Sequence, residues 1–226
     1  MRIETRVAER DVVVQTEVPL AGFLGVPRDA RGLVIFAHGT GSSRFSPRNR
    51  FVAGVIREAG VGTLLFDLLT AEEERYDERT GRLRFDMELL AGRLLGATEW
   101  ARAERETTGL AVGYFGASSG GGAALLAAAR QPDAVRAVVS RGGRPDLAGE
   151  ALRLVRTPTL LIVGERDPAV LRCNEESLAE LGAEKELAVV PGATHLFEEP
   201  GTIEEVARLA RDWFVRHLAA SRAPAR

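Results

Sequence analysis

Short apolar runs punctuate the chain, each closed by a turn residue or an acid. Leu33-Val34-Ile35-Phe36-Ala37 lies between Gly32 and Gly39, and Thr63-Leu64-Leu65-Phe66 ends at Asp67. Leu110–Phe115 stops at Gly116, Val135–Ser140 near Gly142, Thr159–Val163 at Gly164 and Glu186–Val190 at Pro191. Unbroken apolar runs of this length suit strands buried on both faces. Between them the apolar positions recur near every 3.6 residues, which predicts helices over 48–59, 86–105, 119–130, 168–181 and 202–218. Phe51, Val52, Val55, Ile56 and Ala59 carry the pattern in the first of these. Thr202 and Glu205 read as a capping box, and Asp167 followed by Pro168 as a helix cap with proline in the first turn.

Alternating strands and helices predict an α/β fold, with a mostly parallel sheet covered on both faces. Residues before about 27 differ. They alternate around Val12-Val13-Val14 and Leu20–Phe23 without an intervening helix, as an antiparallel edge does. The segment Thr70–Arg84 is almost entirely charged and delays the next helix. It is expected to be a solvated loop, with a flap over a site at the strand ends as the other reading. No repeat or linker divides the 226 residues, so one domain spanning residues 1–226 is expected.

Composition narrows the class. The formal charge is −2, which gives no basic pull toward nucleic acid or anionic lipid. No uncharged apolar run approaches the ~18 residues of a membrane helix. The charged N-terminal stretch has no export-signal core, and a cytoplasmic location is expected. One cysteine, Cys173, excludes an intramolecular disulfide and a cysteine-only metal cluster. Of the 30 basic residues only Lys185 is lysine. Arginine grips carboxylates and phosphates with paired bonds, but most of these fit a compositional bias.

The sharpest chemical signal is Gly116-Ala117-Ser118-Ser119-Gly120, placed between a strand and a helix. A serine in that turn is held in strained backbone, its neighbours must be small, and the helix that follows aims free N–H groups at the reacting centre. The alternative, a glycine-rich phosphate cradle, lacks the Gly-Lys-Ser/Thr ending. Serine needs a base. Of the three histidines, His195 follows a strand, His217 lies late in the final helix and His38 closes an early strand. His195 is therefore the expected base and Asp167 its orienting acid, in the order Ser, Asp, His. Glu165 is the rival acid and Asp67 a lesser one. Backbone N–H groups of Thr40 and Ser119 are the expected oxyanion donors, in and opposite His38-Gly39-Thr40-Gly41. His38, Gly39, Arg44 and Arg141 are expected to border the substrate, with Arg48 and Arg144 nearby. Arg44 or Arg141 is a candidate receptor for a substrate anion, against the plainer reading of surface ion pairs.

Taken together, Gly116-x-Ser118-x-Gly120, Asp167, His195 and His38-Gly39-Thr40-Gly41 resemble an α/β-hydrolase. The compact length and the stretches Ala37–Arg44 and Ser46–Arg50 resemble the dienelactone hydrolase-like branch, from about residue 20 to 218. The resemblance implies about eight strands, no large cap domain and a Ser/Cys-His-Asp triad. Members of that group occur fused to a phosphoribosyltransferase domain, and the length here is expected to hold the hydrolase domain alone. The namesake enzyme uses a cysteine nucleophile, whereas position 118 is serine and Cys173 lies in a helical segment. The expected activity is a serine hydrolase of small-molecule esters, with lactones as a further substrate class. It uses an acyl-enzyme and implies no cofactor and no metal. A thioesterase, peptidase or acyltransferase would use the same residues, and a non-catalytic ligand-binding domain is the alternative from another class.

Overall fold

The computed structural model describes residues 7–218. Eight strands form one sheet in the order β1-β2-β4-β3-β5-β6-β7-β8. The first two strands, β1 (Arg10–Gln15) and β2 (Pro19–Gly25), are the antiparallel edge that the early alternation predicts. The other six run parallel: β3 (Leu33–Ala37), β4 (Gly62–Phe66), β5 (Val112–Ala117), β6 (Val135–Arg141), β7 (Thr159–Gly164) and β8 (Lys185–Val190). β3, β4 and β5 are buried along their whole length, which is why they read as apolar runs without alternation.

Helices cover both faces. On one, α1 (Pro47–Glu58) and α6 (Thr202–Leu218) bury Val52, Ile56, Val206, Trp213 and Phe214 against Val34, Phe36, Phe115 and Val139. On the other, α3 (Met87–Ala103) and α4 (Ser119–Arg130) bury Leu90, Leu94 and Ala123–Ala128 against Leu33, Ile35, Tyr114 and Val138. A 3-10 stretch, Pro145–Leu154, and α5 (Pro168–Glu180) continue that second layer. Among the described residues no helix is long and apolar enough to cross a membrane.

Three local expectations change. Thr70–Arg84 is not a loop. It holds helix α2 (Ala71–Thr80), started by a true capping box: Thr70 Oγ1 accepts from the Glu73 amide and Glu73 Oε2 from the Thr70 amide. Glu72, Glu73 and Glu74 sit in its first turn, where the helix dipole favours acids, and Gly81 in left-handed backbone ends it. Arg93 bonds Glu73 at 2.8 Å and buried Asp77 accepts the Leu83 and Arg84 amides, so α2 is tied down at both ends. Thr202 is not the capping residue of α6. It lies inside the first turn and donates to Glu199 O, while the Gly201 carbonyl accepts from the Glu205 amide and Glu205 pairs with Arg208. Asp167 precedes Pro168 at the start of α5, but its side chain makes no capping bond, because the carboxylate is engaged elsewhere.

Candidate active site

The carboxyl ends of β3, β5, β6, β7 and β8 gather the predicted site residues. Ser118 follows β5 directly and has φ 52° and ψ −123°, an arrangement that strains any residue with a side chain. Neighbouring backbone holds it there. Its amide donates to Arg141 O at 3.2 Å, and its carbonyl accepts from Gly121 and Arg144 amides, each at 3.0 Å. Glycine is required on both sides. A Cβ at Gly116 would sit 2.4 Å from Gly120 O, and one at Gly120 would sit 2.3 Å from Ala37 O. The helix α4 is thereby drawn against the ends of β3 and β5, with Ser119 as its first residue and no preceding turn to occupy the Ser119 amide.

Across from it lies the loop after β3. Gly39 packs so closely that a Cβ there would approach Ser118 Cβ to 2.9 Å. Thr40 Oγ1 and Ser119 Oγ are 3.1 Å apart, which pins the loop to the start of α4. The Thr40 amide has no backbone acceptor among the described residues. The His38 ring keeps some exposure, but both its nitrogens are used by backbone. Nδ1 donates to Gly39 O at 3.0 Å, which leaves Nε2 to accept the Leu68 amide at 3.0 Å. That pattern needs the neutral ring, and burial lowers its pKa from the ordinary value. His38 thus ties the end of β3 to the chain beyond β4 and offers no free nitrogen.

On the other side, His195 Nδ1 and Asp167 Oδ2 are 2.6 Å apart. Asp167 reaches this position from the turn after β7, and His195 from the loop after β8. The two turns lock together: a Cβ at Gly164 would meet Ala193 O at 2.4 Å, and the Arg166 amide donates to Ala193 O. Glu165, the rival acid, is turned away and accepts the Gly192 amide at 2.7 Å. Gly142, with φ 50°, stands between the serine and histidine segments. It follows Arg141, and a Cβ on it would lie 3.6 Å from His195 Cε1.

The arginines separate. Arg44 pairs with Asp67 and lies over the rings of Phe23 and Phe45. Asp67, the lesser alternative acid, is committed to that pair and to the Arg44 amide. Arg144 grips Asp146 with two bonds, at 2.8 and 2.6 Å, and Arg48 reaches Glu198 at 3.0 Å. Arg141 has no carboxylate partner among the described residues, and its Nη2 donates to Asn49 Oδ1 at 3.2 Å.

A cavity of ≈ 130 Å³ opens beside the Thr40–Ser119 contact, lined by Gly39, Leu68, Glu74, Asp77, Arg84 and Leu90 among others. The charged segment expected as a solvated loop, or else as a flap over the site, supplies one of its walls as helix α2, whose Thr70-x-x-Glu73 carries the same capping signal as Thr202-x-x-Glu205. Among the described residues no group of His, Cys, Asp or Glu side chains could hold a metal ion.

Comparison with known proteins agrees with this architecture. A family model described as "Dienelactone hydrolase family" matches residues 20–219. The crystal structure of a dienelactone hydrolase from Anabaena variabilis is 57% identical, covers 94% of this chain and 99% of its own, and superposes with a TM-score of 0.92. Est1E from Butyrivibrio proteoclasticus shares the fold at 16% identity, with a TM-score of 0.78 over 93% of this chain and 99% of its own. A Mycobacterium tuberculosis H37Rv protein named "Putative phosphoribosyl transferase" is 60% identical over 206 residues, which are 91% of this chain and 46% of that protein. The chain therefore spans about half the length of that relative. The chain belongs to the dienelactone hydrolase family of α/β hydrolases.

Proposed function

We propose that this chain is a serine hydrolase of small carboxylic esters, with lactones as a further substrate class. The observation that carries the reading is the 2.6 Å Asp167–His195 bond at the same sheet edge as a serine in strained elbow backbone. Such strain persists where function requires it.

In this reading His195 takes the Ser118 proton through Nε2 as Ser118 Oγ attacks the carbonyl carbon. Asp167 holds the ring by Nδ1–H and stabilises the imidazolium that forms. Negative charge develops on the carbonyl oxygen, and the Thr40 and Ser119 amides receive it. Removing one such donor typically costs about 3 kcal/mol of barrier. Collapse expels the alcohol, which takes the proton from His195. Water then attacks the acyl-enzyme with His195 again as base, releasing the acid and restoring Ser118.

The H37Rv relative's name gives no second reading, since over half of that protein lies outside the match. The test is hydrolysis of p-nitrophenyl acetate. Wild type is expected to turn over, and Ser118→Ala to fall to the background rate with an unchanged melting temperature. Equal rates would refute the assignment.

A further inference from the structure

Asn174 is the most deeply buried polar residue of α5. It has no exposed surface, and it sits inside a helix, where asparagine gains nothing from propensity. Its Nδ2 donates to Gly143 O at 2.9 Å and to Val170 O at 2.8 Å. Both neighbours are carbonyl oxygens, so the amide must present its NH2 group to them. That leaves its own Oδ1 buried and without a partner among the described residues. A buried unpaired group calls for a cause. Val170 O, four residues back, already serves the helix ladder. The bond that Asn174 adds to the fold is therefore the one to Gly143.

The place of Gly143 supplies the cause. It belongs to the loop Arg141–Arg144 after β6, and that loop seats the nucleophile. Arg141 O accepts the Ser118 amide at 3.2 Å, and the Arg144 amide donates to Ser118 O at 3.0 Å. Gly142 borders the His195 ring and donates its amide to Ile162 O of β7 at 2.7 Å. Gly143 is pressed against the start of α4. A Cβ at Gly121 would lie 3.1 Å from Gly143 Cα, and a Cβ at Gly143 would collide with Ser140 Oγ. At the other end of the tie is the helix that Asp167 opens. Asp167 O accepts the Leu171 amide at 2.8 Å, and its carboxylate lies 2.6 Å from His195 Nδ1. Asn174 stands about two turns along that helix. Cys173, beside it, also reaches toward the loop, but only through the Asp146 carboxylate, which is 39% exposed. Asn174 grips the loop's backbone directly, in the interior.

We propose that Asn174 is a positioning residue for the hydrolysis. It locks the helix that carries Asp167, and with it His195, to the loop that seats Ser118, and so sets the gap across which the proton passes. The inference deepens the hydrolase reading and rests on Ser118 as nucleophile and His195 as base. Asn174 touches none of the reacting atoms. Without the tie, α5 and the loop shift independently, and the attacking geometry is reached less often while the substrate's own contacts remain.

The experiment uses the full chain and three variants. Asn174→Leu keeps the side-chain volume and removes the donor. Asn174→Ser, whose hydroxyl serves Val170 O but is too short for Gly143 O, takes its place if the leucine variant does not fold. Leu178→Ala is the matched control, because it thins the packing of α5 on the core and leaves the loop bonded. With p-nitrophenyl acetate, well below each melting temperature, loss of the Asn174 amide is expected to lower kcat by about tenfold or more with KM within about twofold. Leu178→Ala is expected to melt lower with kcat within about twofold of wild type. Amide hydrogen exchange followed by NMR reads the tie without turnover. The Ser118 and Arg144 amides are expected to exchange about tenfold faster in the Asn174 variant and at the wild-type rate in Leu178→Ala. In an active protein, a kcat within about twofold of wild type, or a fall that Leu178→Ala reproduces, overturns the proposal. A wild type that does not hydrolyse the ester sinks the nucleophile reading alone. Exchange then decides: faster exchange in the Asn174 variant supports the tie, and unchanged exchange overturns it.

Discussion

Gly120→Ala probes how α4 is seated, and the structure sets its size. The added Cβ would lie 2.3 Å from Ala37 O, 2.7 Å from His38 O and 2.8 Å from Ala37 C. All three are backbone atoms at the end of β3, so no side chain can swing aside. Ordinary contact begins near 3.4 Å, so helix and strand must part by about 1 Å. Overpacking of this kind costs about 1–3 kcal/mol. For a chain of this size each kcal/mol moves the melting temperature by roughly 2–4 °C, so a fall of about 2–12 °C is expected. The shift also carries the Ser119 amide away from the Thr40 loop, and a misplacement of ~1 Å can cost ~100-fold in rate. Gly54→Ala is the matched control. Gly54 lies inside α1, and a Cβ there meets nothing within 4 Å. Alanine should stabilise that helix by about 0.4–1 kcal/mol. Calorimetry and p-nitrophenyl acetate turnover read both variants. A Gly120→Ala protein that melts at or above wild type with unchanged turnover would refute the claim that this packing positions the site.

The two candidate acids should part company. Asp167→Asn is expected to lower kcat roughly 10⁴-fold by upsetting the histidine tautomer, whereas Glu165→Gln, at a carboxylate that accepts the Gly192 amide, should stay within about threefold of wild type. Comparable losses in both would reopen the choice. His38 should appear in the pH dependence of stability. Burial lowers its folded pKa below the ordinary 6.5, so the unfolded chain binds the proton more readily. Its contribution is complete above pH 6.5 and is lost as pH falls from there through the folded value. His217, lowered by burial, acts in the same direction in both proteins. Thermal melts from pH 8 to 5 should therefore fall less steeply for His38→Gln than for wild type, and parallel curves would contradict the assignment. Asp77 has the carboxylate sign. Burial alone would raise its pKa, but the Arg84 and Leu83 amides and the Arg84 guanidinium outweigh it and hold the group low. Its stabilisation is present above the unfolded pKa and fades as acid drives pH through the folded value. Asp77→Asn should melt lower than wild type at pH 7, with the gap closing toward pH 3.

Most of the architecture was legible because it rests on periodicity. The parallel strands announced themselves as apolar runs, buried on both faces except at the edge strand β8, and the five helices by apolar positions recurring between them. Helix α2 was missed for the converse reason. It has one buried residue, Asp77, so its hydrophobic pattern is empty and only its ends, Thr70, Glu73 and Gly81, mark it. At the opposite end of the chain the capping signal misled, because Gly201 stands where Thr202 was expected and its carbonyl takes the first helical bond. The candidate site was readable as residue types in chain order. What spacing could not convey was pairing. Arg44, Arg48, Arg141 and Arg144 look alike in sequence, and only the tertiary structure gives carboxylates to three of them and leaves Arg141 among Asn49, Phe197 and another arginine.

In the proposed mechanism Ser118 is an activated nucleophile. Treatment of the whole chain with a fluorophosphonate, followed by intact mass and peptide mapping, tests it most directly. One adduct on the Ser118 peptide is expected, abolished by Ser118→Ala and strongly slowed by His195→Ala. An unlabelled protein, or an adduct that survives Ser118→Ala, would contradict the account.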